Sequence, residues 1–386
     1  MKAIRTHEPS GISGLVYEET PDPTPTIGDV LVKVAACGIT HNELDWPLRT
    51  CRNGHQRDSI IPGQEVSGVV TALGMGTAGI AVGDEVFGLT DPYRDAAAAE
   101  YVAVEARNVA PKPQTVDHVH AAAVPRAGLT AWQALFDHGR LAKGQTVVIH
   151  GAGGAVGSTA VQLARWAGAE VIGTGRSRAR QLVMELGADR FIALDEDRLE
   201  DAAGSGFEAD VVFDMVGGEV LARSAALLKP GGALVSVVSW ELPADRDDIR
   251  TVFFVQEANR AQLTELARLV DGGHLRPQVG GVYPLARAVE AYSAKAAGAA
   301  SLAGSSSSPD PRTAQLGIDR ASRPMPGRRR ITLITLIALI SDALICCICR
   351  SRRTWSTSAP PAWSMRWRCW AGRIIRSWPA GTASSR

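Results

Sequence analysis

Residues 146–157 read TVVIHGAGGAVG, a β-branched run that passes directly into a loop with four glycines in seven positions. The run predicts a buried strand, and residues 158–166 follow it with the apolar spacing of a helix. Glycines at such a turn permit a sharp bend, let the backbone approach a pyrophosphate and bring helix and strand close together. A flexible turn is the alternative. The strand–loop–helix setting favours a dinucleotide site made by the loop residues Gly151, Ala152, Gly153, Gly154, Ala155, Val156 and Gly157.

Strands and helices alternate on the C-terminal side of this loop. Apolar runs predict strands at 170–174, 190–194, 210–216 and 232–238, with helices at 178–186 and 220–228. Near-continuous apolar strands separated by helices indicate a parallel sheet that is covered on both faces. The first 120 residues instead carry short β-branched runs, at 29–35, 66–72 and 85–88. The predicted fold class is therefore α/β, with a β-rich domain followed by a doubly wound Rossmann domain.

The end of the second strand of the Rossmann unit indicates which dinucleotide is bound. An NAD site usually places Asp or Glu there, to hold the ribose 2′-hydroxyl. Here the strand ends at Thr174 without a carboxylate, and Arg176, Ser177 and Arg178 follow. Two guanidinium groups beside a hydroxyl suit a 2′-phosphate, although the arginines would also suit the start of a solvated helix. We therefore expect these four residues to bind NADPH in preference to NADH.

The composition divides the chain into two regions. Of 386 residues, 45% are hydrophobic and 21% are charged, which is typical of a globular protein and excludes a collagen-like or wholly disordered chain. The formal net charge is +1, but residues 299–386 hold 14 arginines and three aspartates with no lysine or glutamate, a charge of +11, which leaves −10 for the first 298 residues. Low aromatic content (5%) and the absence of a regular arginine stripe argue against a nucleic-acid partner.

Cysteine usage and the N-terminus predict where the protein resides. Four of the six cysteines lie beyond residue 298, and the body keeps only Cys37 and Cys51. Two distant cysteines make no disulfide framework, which is typical of a reduced compartment. The first residues contain no apolar signal segment. We therefore expect a cytoplasmic protein.

Residues 299–386 differ from the rest of the chain in residue usage. They contain no Val, Lys, Glu, Phe, Tyr, His or Asn, yet they hold five of the nine tryptophans. Codons for residues 300–307 can be read, when shifted by one base, as Gly-Ile-Pro-Gly-Arg-Val-Val-Leu, a turn that leads into a strand. We interpret this aberrant basic tail as the product of a frameshift near Gly298 and expect it to be disordered. A membrane-spanning helix at 331–349 is the alternative, which Asp342 would disfavour by about 2.5–3.5 kcal/mol.

Further segments accompany the glycine loop in order along the chain: IPGQEVSG at 61–68, VGDEV at 82–86, LTAWQAL at 129–135 and LKPGG at 228–232. With them, residues 1–298 resemble the medium-chain dehydrogenase/reductase superfamily, and most closely its zinc-free, quinone oxidoreductase-like branch. The resemblance implies a GroES-like catalytic domain at 1–122, a Rossmann NADPH-binding domain at 123–262 and a return to the catalytic domain at 263–298 that lacks its last strand. Members are often dimers, so the resemblance also implies a homodimer.

Zinc-dependent members of this superfamily hold their catalytic metal through two cysteines and a histidine. At the matching positions this chain has Thr40, Gln64 and Arg126, and Cys37 falls three residues too early to replace the first ligand. A catalytic zinc normally takes three protein ligands from Cys, His or carboxylate. We therefore expect no metal.

The resemblance places the substrate between the two domains. It implies as candidate catalytic residues Thr40, Asn42, Glu43, Gln64 and Arg126, with His41 beside them, and it adds Thr130, Val216 and Val238 to the cofactor site. Without zinc to polarise an alcohol, it implies hydride transfer from NADPH to a small electrophile, a conjugated carbonyl compound or a quinone. We expect Arg126 either to stabilise an oxyanion or to form a structural ion pair with Glu65 or Glu43. A zinc-independent alcohol or aldehyde reductase and a non-catalytic NADPH-binding protein remain alternatives.

Overall fold

The structure is a computed structural model and describes residues 1–7, 11–40, 43–45, 57–199, 206–243, 245–296 and 332–336. Its N-terminal part is a β-rich domain, as expected. The strands are β1 (Lys2–Thr6), β2 (Leu15–Glu19), β3 (Asp29–Ile39), β4 (Glu65–Leu73), β5 (Glu85–Leu89), β6 (Tyr101–Glu105) and β7 (Val109–Pro111). Short 3₁₀ turns lie at Gly11–Gly14, Glu43–Asp45 and Ala106–Asn108, and the helix α1 spans His118–Ala121.

The second part is a Rossmann domain. Its strands are β8 (Thr146–His150), β9 (Glu170–Gly175), β10 (Arg190–Ala193), β11 (Ala209–Asp214), β12 (Leu228–Ser236) and β13 (Arg250–Phe253). They form one sheet in the order β10-β9-β8-β11-β12-β13 with every pair parallel, which is the 3-2-1-4-5-6 order of a doubly wound dinucleotide fold. The glycine loop follows β8, the strand beside which the winding direction reverses.

Helices cover both faces of this sheet. The helices are α2 (Pro125–Trp132), α3 (Ala155–Trp166), α4 (Arg180–Glu185), α5 (Gly218–Ser224) and α6 (Arg260–Asp271). A π-helical segment at Gln133–His138 continues α2, and 3₁₀ turns lie before α4 at Ser177–Ala179 and after α5 at Ala225–Leu227. Buried side chains form one core on each face. Trp132 packs edge-on against Phe136, with ring centroids 4.9 Å apart.

The expected return to the β-rich domain at residue 263 does not coincide with the start of an element of secondary structure. It falls inside α6, whose Leu263, Leu266 and Leu269 are fully buried in a core that joins side chains of both domains, and the helix contacts α2 and β7. The elements that follow are β14 (Val279–Pro284), a 3₁₀ turn at Leu285–Arg287, α7 (Ala288–Ala296) and β15 (Thr332–Leu336).

The strand β15 comes from the segment that we expected to be disordered, and for these five residues the expectation is wrong. It lies between β14 and β3 in a seven-stranded sheet of order β14-β15-β3-β4-β5-β7, with β6 paired to β3. Ile334 faces Val282 of β14 in an antiparallel ladder and Gly38 of β3 in a parallel one. Three of its five residues are β-branched, which suits a strand. The other residues of the 299–386 tail lie outside the described part of the chain.

The proposed membrane span at 331–349 overlaps this strand. Residues 332–336 are extended and paired on both edges, and the rest of that span lies outside the described residues. Among the helices of the described ranges, none combines the length and the apolar character that crossing a membrane requires.

Replacing Ile334 with proline should destabilise the β-rich domain. Proline has no N–H, so a strand paired on both edges loses a ladder hydrogen bond and leaves the acceptor carbonyl of its neighbour unpaired. We expect a loss of roughly 2–4 kcal/mol in the free energy of unfolding, measured by denaturant titration. Ile334→Val keeps the N–H and is the control. A proline variant as stable as the parent would show that β15 does not complete the sheet.

Candidate functional site

A cleft of about 870 Å³ runs between the β-rich domain and the Rossmann domain. Gln64 and the segment 89–93 line it from the first domain, and Val237 and the segment 254–258 from the second. Arg126, in the first turn of α2, reaches the cleft where the two domains meet. The carboxyl end of β12 opens into the same space, the edge at which parallel α/β sheets bind ligands.

The glycine loop has the geometry that dinucleotide binding requires. Gly151 adopts φ +78°, and its N–H and that of Ala152 both donate to the Thr174 carbonyl, at 3.0 and 2.9 Å. Gly157 packs against the turn, since a Cβ there would lie 2.2 Å from the Gly151 carbonyl oxygen. The helix α3 begins immediately after Gly154. The N-terminus of α3 therefore follows directly after a tight glycine turn, and the N–H groups of a first helical turn in this position fit a pyrophosphate.

Replacing Gly157 with alanine should distort this loop. The added methyl group would meet backbone atoms of Gly151 and Ala152 at 2.2 and 2.7 Å, and backbone cannot rotate aside as a side chain can. We expect a loss of stability of about 1–3 kcal/mol, as for an overpacked core, seen as a lower melting temperature. Gly154→Ala is the matched control, because its Cβ would lie 3.3 Å from the nearest atom at a φ of −79°. Equal melting temperatures for the two variants would contradict the tight packing of this loop.

Val216 and Val238 follow the carboxyl ends of two neighbouring strands. Val216 follows β11, and its side chain would be 3.4 Å from a Cβ on Gly151. Val238 follows β12, and its side chain would be 3.3 Å from a Cβ on Gly217. The buried Asp214 holds the β11 turn by accepting the N–H groups of Val216 and Gly217 at 3.1 Å. The structure thus places Val216 beside the glycine loop and Val238 beside the turn that follows β11.

The four residues predicted to bind a 2′-phosphate occupy different environments. Thr174 is fully buried in the sheet, and its hydroxyl lies 2.8 Å from Nδ1 of His150, so it shapes the loop through its carbonyl instead of facing a ligand. Ser177 donates its N–H and hydroxyl to Asp195, at 2.7 and 3.0 Å. Arg178 is exposed and Arg176 is partly buried. The backbone hydrogen bond from Ser177, its hydroxyl and the charge of Arg176 all lower the pKa of Asp195, so this turn already accommodates an anionic group.

A cluster of charged and polar side chains lies behind the floor of the cleft. The guanidinium of Arg126 donates a hydrogen bond to the Gln64 amide oxygen. The backbone N–H of Arg126 donates to Oε1 of Glu65 at 3.0 Å. Glu43 accepts the hydroxyl of Tyr292 at 2.7 Å. Glu43, Glu65 and Tyr292 are buried. Arg126 is therefore held in an ionic and hydrogen-bonded network, and it also reaches the cleft.

Burial dominates the ionisation of this cluster. It raises the pKa of Glu65 to about 7, although the charge of Arg126 and its backbone hydrogen bond oppose the shift. It raises the pKa of Glu43 as well, against the hydrogen bond from Tyr292 and the charge of Arg126. It lowers the pKa of Lys295 to about 8, against the charges of Glu65 and Glu43. The pKa values of Glu65 and Lys295 thus lie close together, and the pKa of Glu43 is shifted in the same direction as that of Glu65.

The remaining predicted site residues are placed as follows. Thr40 directly follows β3, and its buried hydroxyl has no hydrogen-bond partner in the described part of the chain. Thr130 is buried on α2, one turn after Arg126. His41 and Asn42 lie outside the described residues. Cys37 is fully buried, and desolvation raises the pKa of its thiol well above the usual range.

Three residues of the site were missed by sequence analysis. Tyr292 and Lys295 lie on α7, far along the chain from Glu43 and Glu65, and Asp195 lies one residue beyond the strand predicted at 190–194. One signal was available: Lys295 lies on the same helical stripe as the buried Ala288 and Tyr292. A lysine at a core position indicates an acidic partner. Asp195 carries no comparable signal.

The residues at the matching metal positions do not fit zinc. Thr40, Gln64 and Arg126 supply no thiolate, imidazole or carboxylate, the donors that zinc takes in proteins. Arg126 also places a positive charge against Gln64. Within the described ranges, no three or more His, Cys, Asp and Glu side chains are grouped to hold a metal ion.

Comparisons with known proteins match both domains. The family of alcohol dehydrogenase GroES-like domains matches residues 26–114, and that of zinc-binding dehydrogenases matches residues 186–301. A probable zinc-binding oxidoreductase, mitochondrial, from Arthroderma benhamiae is 31% identical over 306 residues, 75% of this chain and 91% of its own. The 2-methylene-furan-3-one reductase of Solanum lycopersicum is 30% identical over 275 residues, 68% of each chain. The solved quinone oxidoreductase of Coxiella burnetii superposes with a TM-score of 0.69 at 26% identity, covering 87% of this chain and 99% of its own.

Proposed function

Because the chain belongs to the medium-chain dehydrogenase/reductase superfamily, as a quinone oxidoreductase-like protein, we propose that it is an NADPH-dependent reductase of small conjugated carbonyl compounds or quinones that works without zinc. The observation that carries the proposal is the pair Gln64 and Arg126, which stands on the cleft floor at two positions where zinc-dependent members carry metal ligands. Two relatives, named as a quinone oxidoreductase and as a 2-methylene-furan-3-one reductase, support the acceptor class.

The cofactor would be held at the Rossmann domain. The loop at 151–157 and the start of α3 would hold the pyrophosphate, and Val216 and Val238 would flank it at the strand ends. Arg176, Ser177 and Arg178 lie beyond β9, where the 2′ position of an adenosine ribose is bound in this fold. When bound, NADPH supplies a hydride.

The chain's own residues position the acceptor and meet its developing charge. An acceptor in the cleft would lie against Gln64 and Arg126, with Val237 and Phe254 forming an apolar wall. As a conjugated acceptor gains hydride at carbon, negative charge develops on its oxygen, and the Arg126 guanidinium and Gln64 amide can donate to it. Holding the acceptor close to the nicotinamide would supply the remaining catalysis. The step needs no Lewis acid, because the acceptor is already electron-poor at carbon.

Binding and turnover test the proposal separately. We expect saturable fluorescence quenching with NADPH and weaker quenching with NADH, followed by NADPH oxidation when a quinone or an enone is added. Gln64→Ala should reduce turnover while NADPH binding stays within about twofold. Binding without turnover of any quinone, enone, aldehyde or ketone would instead support the non-catalytic alternative, and turnover of simple ketones alone would support the alcohol or aldehyde reductase.

Replacing Asp195 with asparagine should sharpen the preference for NADPH. Its carboxylate occupies the N–H and hydroxyl of Ser177, donors that a 2′-phosphate needs, and it repels that phosphate. Removing this exposed like charge should tighten the Kd for NADPH by roughly twofold to fivefold, measured by fluorescence titration. The exposed Asp197→Asn is the control for net charge. Weaker NADH binding by the Asp195 variant would instead assign Asp195 to a ribose 2′-hydroxyl and favour NADH.

A further inference from the structure

The cleft wall at residues 254–258 belongs to neither a helix nor a strand. It lies between β13 and α6 and lines the cleft together with Arg126. Phe254 donates its N–H to the Ser236 carbonyl at 3.3 Å, whereas residues 255–258 make no backbone-to-backbone hydrogen bond within the described part of the chain. Backbone groups outside ladders and helices depend on side chains or water for their partners, so the position of this wall depends on the side chains that reach it.

Gln133 holds the middle of this wall through both ends of its side-chain amide. Its Nε2 donates to the Glu257 carbonyl at 2.8 Å, and its Oε1 accepts the Glu257 N–H at 3.0 Å. Since a backbone N–H can only donate and a carbonyl can only accept, this pair of bonds fixes the orientation of the amide. Gln133 is 6% exposed, and it binds Glu257 as a residue of a neighbouring strand would, with one N–H···O bond in each direction.

The π-helical segment that carries Gln133 makes further contacts with the same stretch of chain. Nε2 of Gln133 also donates to Oε1 of Gln262 at 2.8 Å, and Nε2 of Gln262 donates to Asp137 at 2.8 Å. His138 packs against Phe254, with ring centroids 4.4 Å apart. Gln133, Asp137 and His138 all belong to the π-helical segment after α2, and such segments are rare but frequent at functional sites. This segment thus turns three side chains toward the cleft wall and the helix that follows it.

We propose that Gln133 is a positioning residue of the reductase site, which fixes the cleft wall at residues 254–258 and thereby holds an acceptor against the cleft floor. The inference rests on the function proposed above. Gln133 does not itself line the cleft, and it acts through Glu257. Without the amide, the wall loses the two bonds that fix it between Phe254 and α6, and a displacement of about 1 Å is enough to cost up to roughly 10²-fold in rate.

Gln162→Met is a matched control for Gln133→Met. Methionine keeps the length of the glutamine side chain but removes its N–H donors and its carbonyl acceptor. Gln162 is 7% exposed and binds the carbonyl and the N–H of Arg276 with its amide, at 3.2 and 2.8 Å, as Gln133 binds Glu257. Arg276 does not line the cleft. Both variants therefore lose the same kind of backbone contact, but only Gln133→Met loosens the cleft wall.

Steady-state kinetics and thermal unfolding of the full chain compare these two variants. We expect both to lower the melting temperature by similar amounts, because each loses its hydrogen bonds to the backbone of one residue. Only Gln133→Met should lower kcat/KM for the acceptor, by roughly tenfold or more. The Kd for NADPH should stay within about twofold of the parent value, because the proposed pyrophosphate and 2′-phosphate sites lie on other elements. Equal kcat/KM values for the acceptor in the two variants would overturn the proposal.

Hydrogen exchange measured by mass spectrometry reports on the wall directly and needs no acceptor. Peptides that cover residues 254–258 should exchange faster in Gln133→Met than in the parent. In Gln162→Met these peptides should match the parent, and peptides around Arg276 should exchange faster instead. Faster exchange at 254–258 in a protein that turns over no acceptor would refute the proposed function while the positioning of the wall stands. Unchanged exchange at 254–258 in Gln133→Met would overturn the positioning itself.

Gln133→Glu takes the place of Gln133→Met if the methionine variant does not fold. At alkaline pH its ionised carboxyl group still accepts the Glu257 N–H but cannot donate to the Glu257 carbonyl. The same contrast with Gln162→Glu is expected, in kcat/KM for the acceptor and in exchange at residues 254–258. A Gln133→Glu variant with the kinetics and the exchange of the parent would contradict the proposal.

Discussion

Replacing Arg126 with methionine is expected to have the largest effect of any single substitution in the cleft. It leaves Glu43 and Glu65 buried with Lys295 as the remaining cation, and it removes the partner of Gln64. Breaking a buried ion pair by removing one partner costs about 3–5 kcal/mol of stability. Losing one preorganised donor to a developing oxyanion costs roughly 10²–10³ in kcat. Denaturant titration and steady-state kinetics measure the two effects.

Arg107→Met is the matched control for this substitution. Arg107 lines the same cleft, but its side chain is 71% exposed and pairs with the neighbouring Glu105 at 2.7 Å. Such exposed pairs contribute about 0–1 kcal/mol. An Arg126 variant that behaves like the Arg107 variant would show that the buried network is dispensable for both stability and turnover.

Replacing Asp29 with asparagine is expected to have the second largest effect, on stability alone. Its side chain is 1% exposed and binds both guanidinium nitrogens of Arg94, at 2.9 and 2.8 Å, together with the N–H and hydroxyl of Thr26. Burial alone would raise the pKa of Asp29, but the hydrogen bonds from Arg94 and Thr26 outweigh it and lower the pKa to about 2. We expect a loss of about 3–5 kcal/mol at neutral pH.

The effect at Asp29 depends on pH in a defined direction. The carboxyl is more acidic in the folded state than its ordinary value of 3.8, so the unfolded chain binds more protons between these two pKa values. The stabilisation is therefore complete above pH 3.8 and is lost as the pH falls through about 2. Parent and variant should differ most in the free energy of unfolding at neutral pH and converge in strong acid. Asp22→Asn, at an exposed carboxylate, is the control.

Much of the architecture could be predicted from the sequence, because local patterns specify it. The strand Thr146–His150 has the bounds that its β-branched run predicts, and the glycine loop lies between a strand and a helix as expected. Every parallel strand predicted in the Rossmann domain is present. The ends of several strands are shifted by a few residues, because strand pairing does not begin and end where the apolar run does. In these segments the hydrophobic pattern and the turn residues are sufficient to predict the strands.

The buried charged cluster of the site could not be predicted in the same way. Glu43 and Tyr292 are separated by 249 positions in sequence but are joined by a 2.7 Å hydrogen bond. Only the return of the chain to the β-rich domain brings α7 to the turn after β3. The strand β15 was missed for a different reason, because the unusual composition of its surroundings concealed a short segment rich in β-branched residues.

The most direct test of the central claim is NADPH oxidation by a quinone or an enone after exhaustive chelation, with zinc content determined on the same sample. We predict that turnover is unchanged when zinc has been removed and does not rise when zinc is added back, because Thr40, Gln64 and Arg126 cannot bind it. Turnover that disappears with chelation and returns with zinc would contradict the account and would require metal ligands that these positions do not supply.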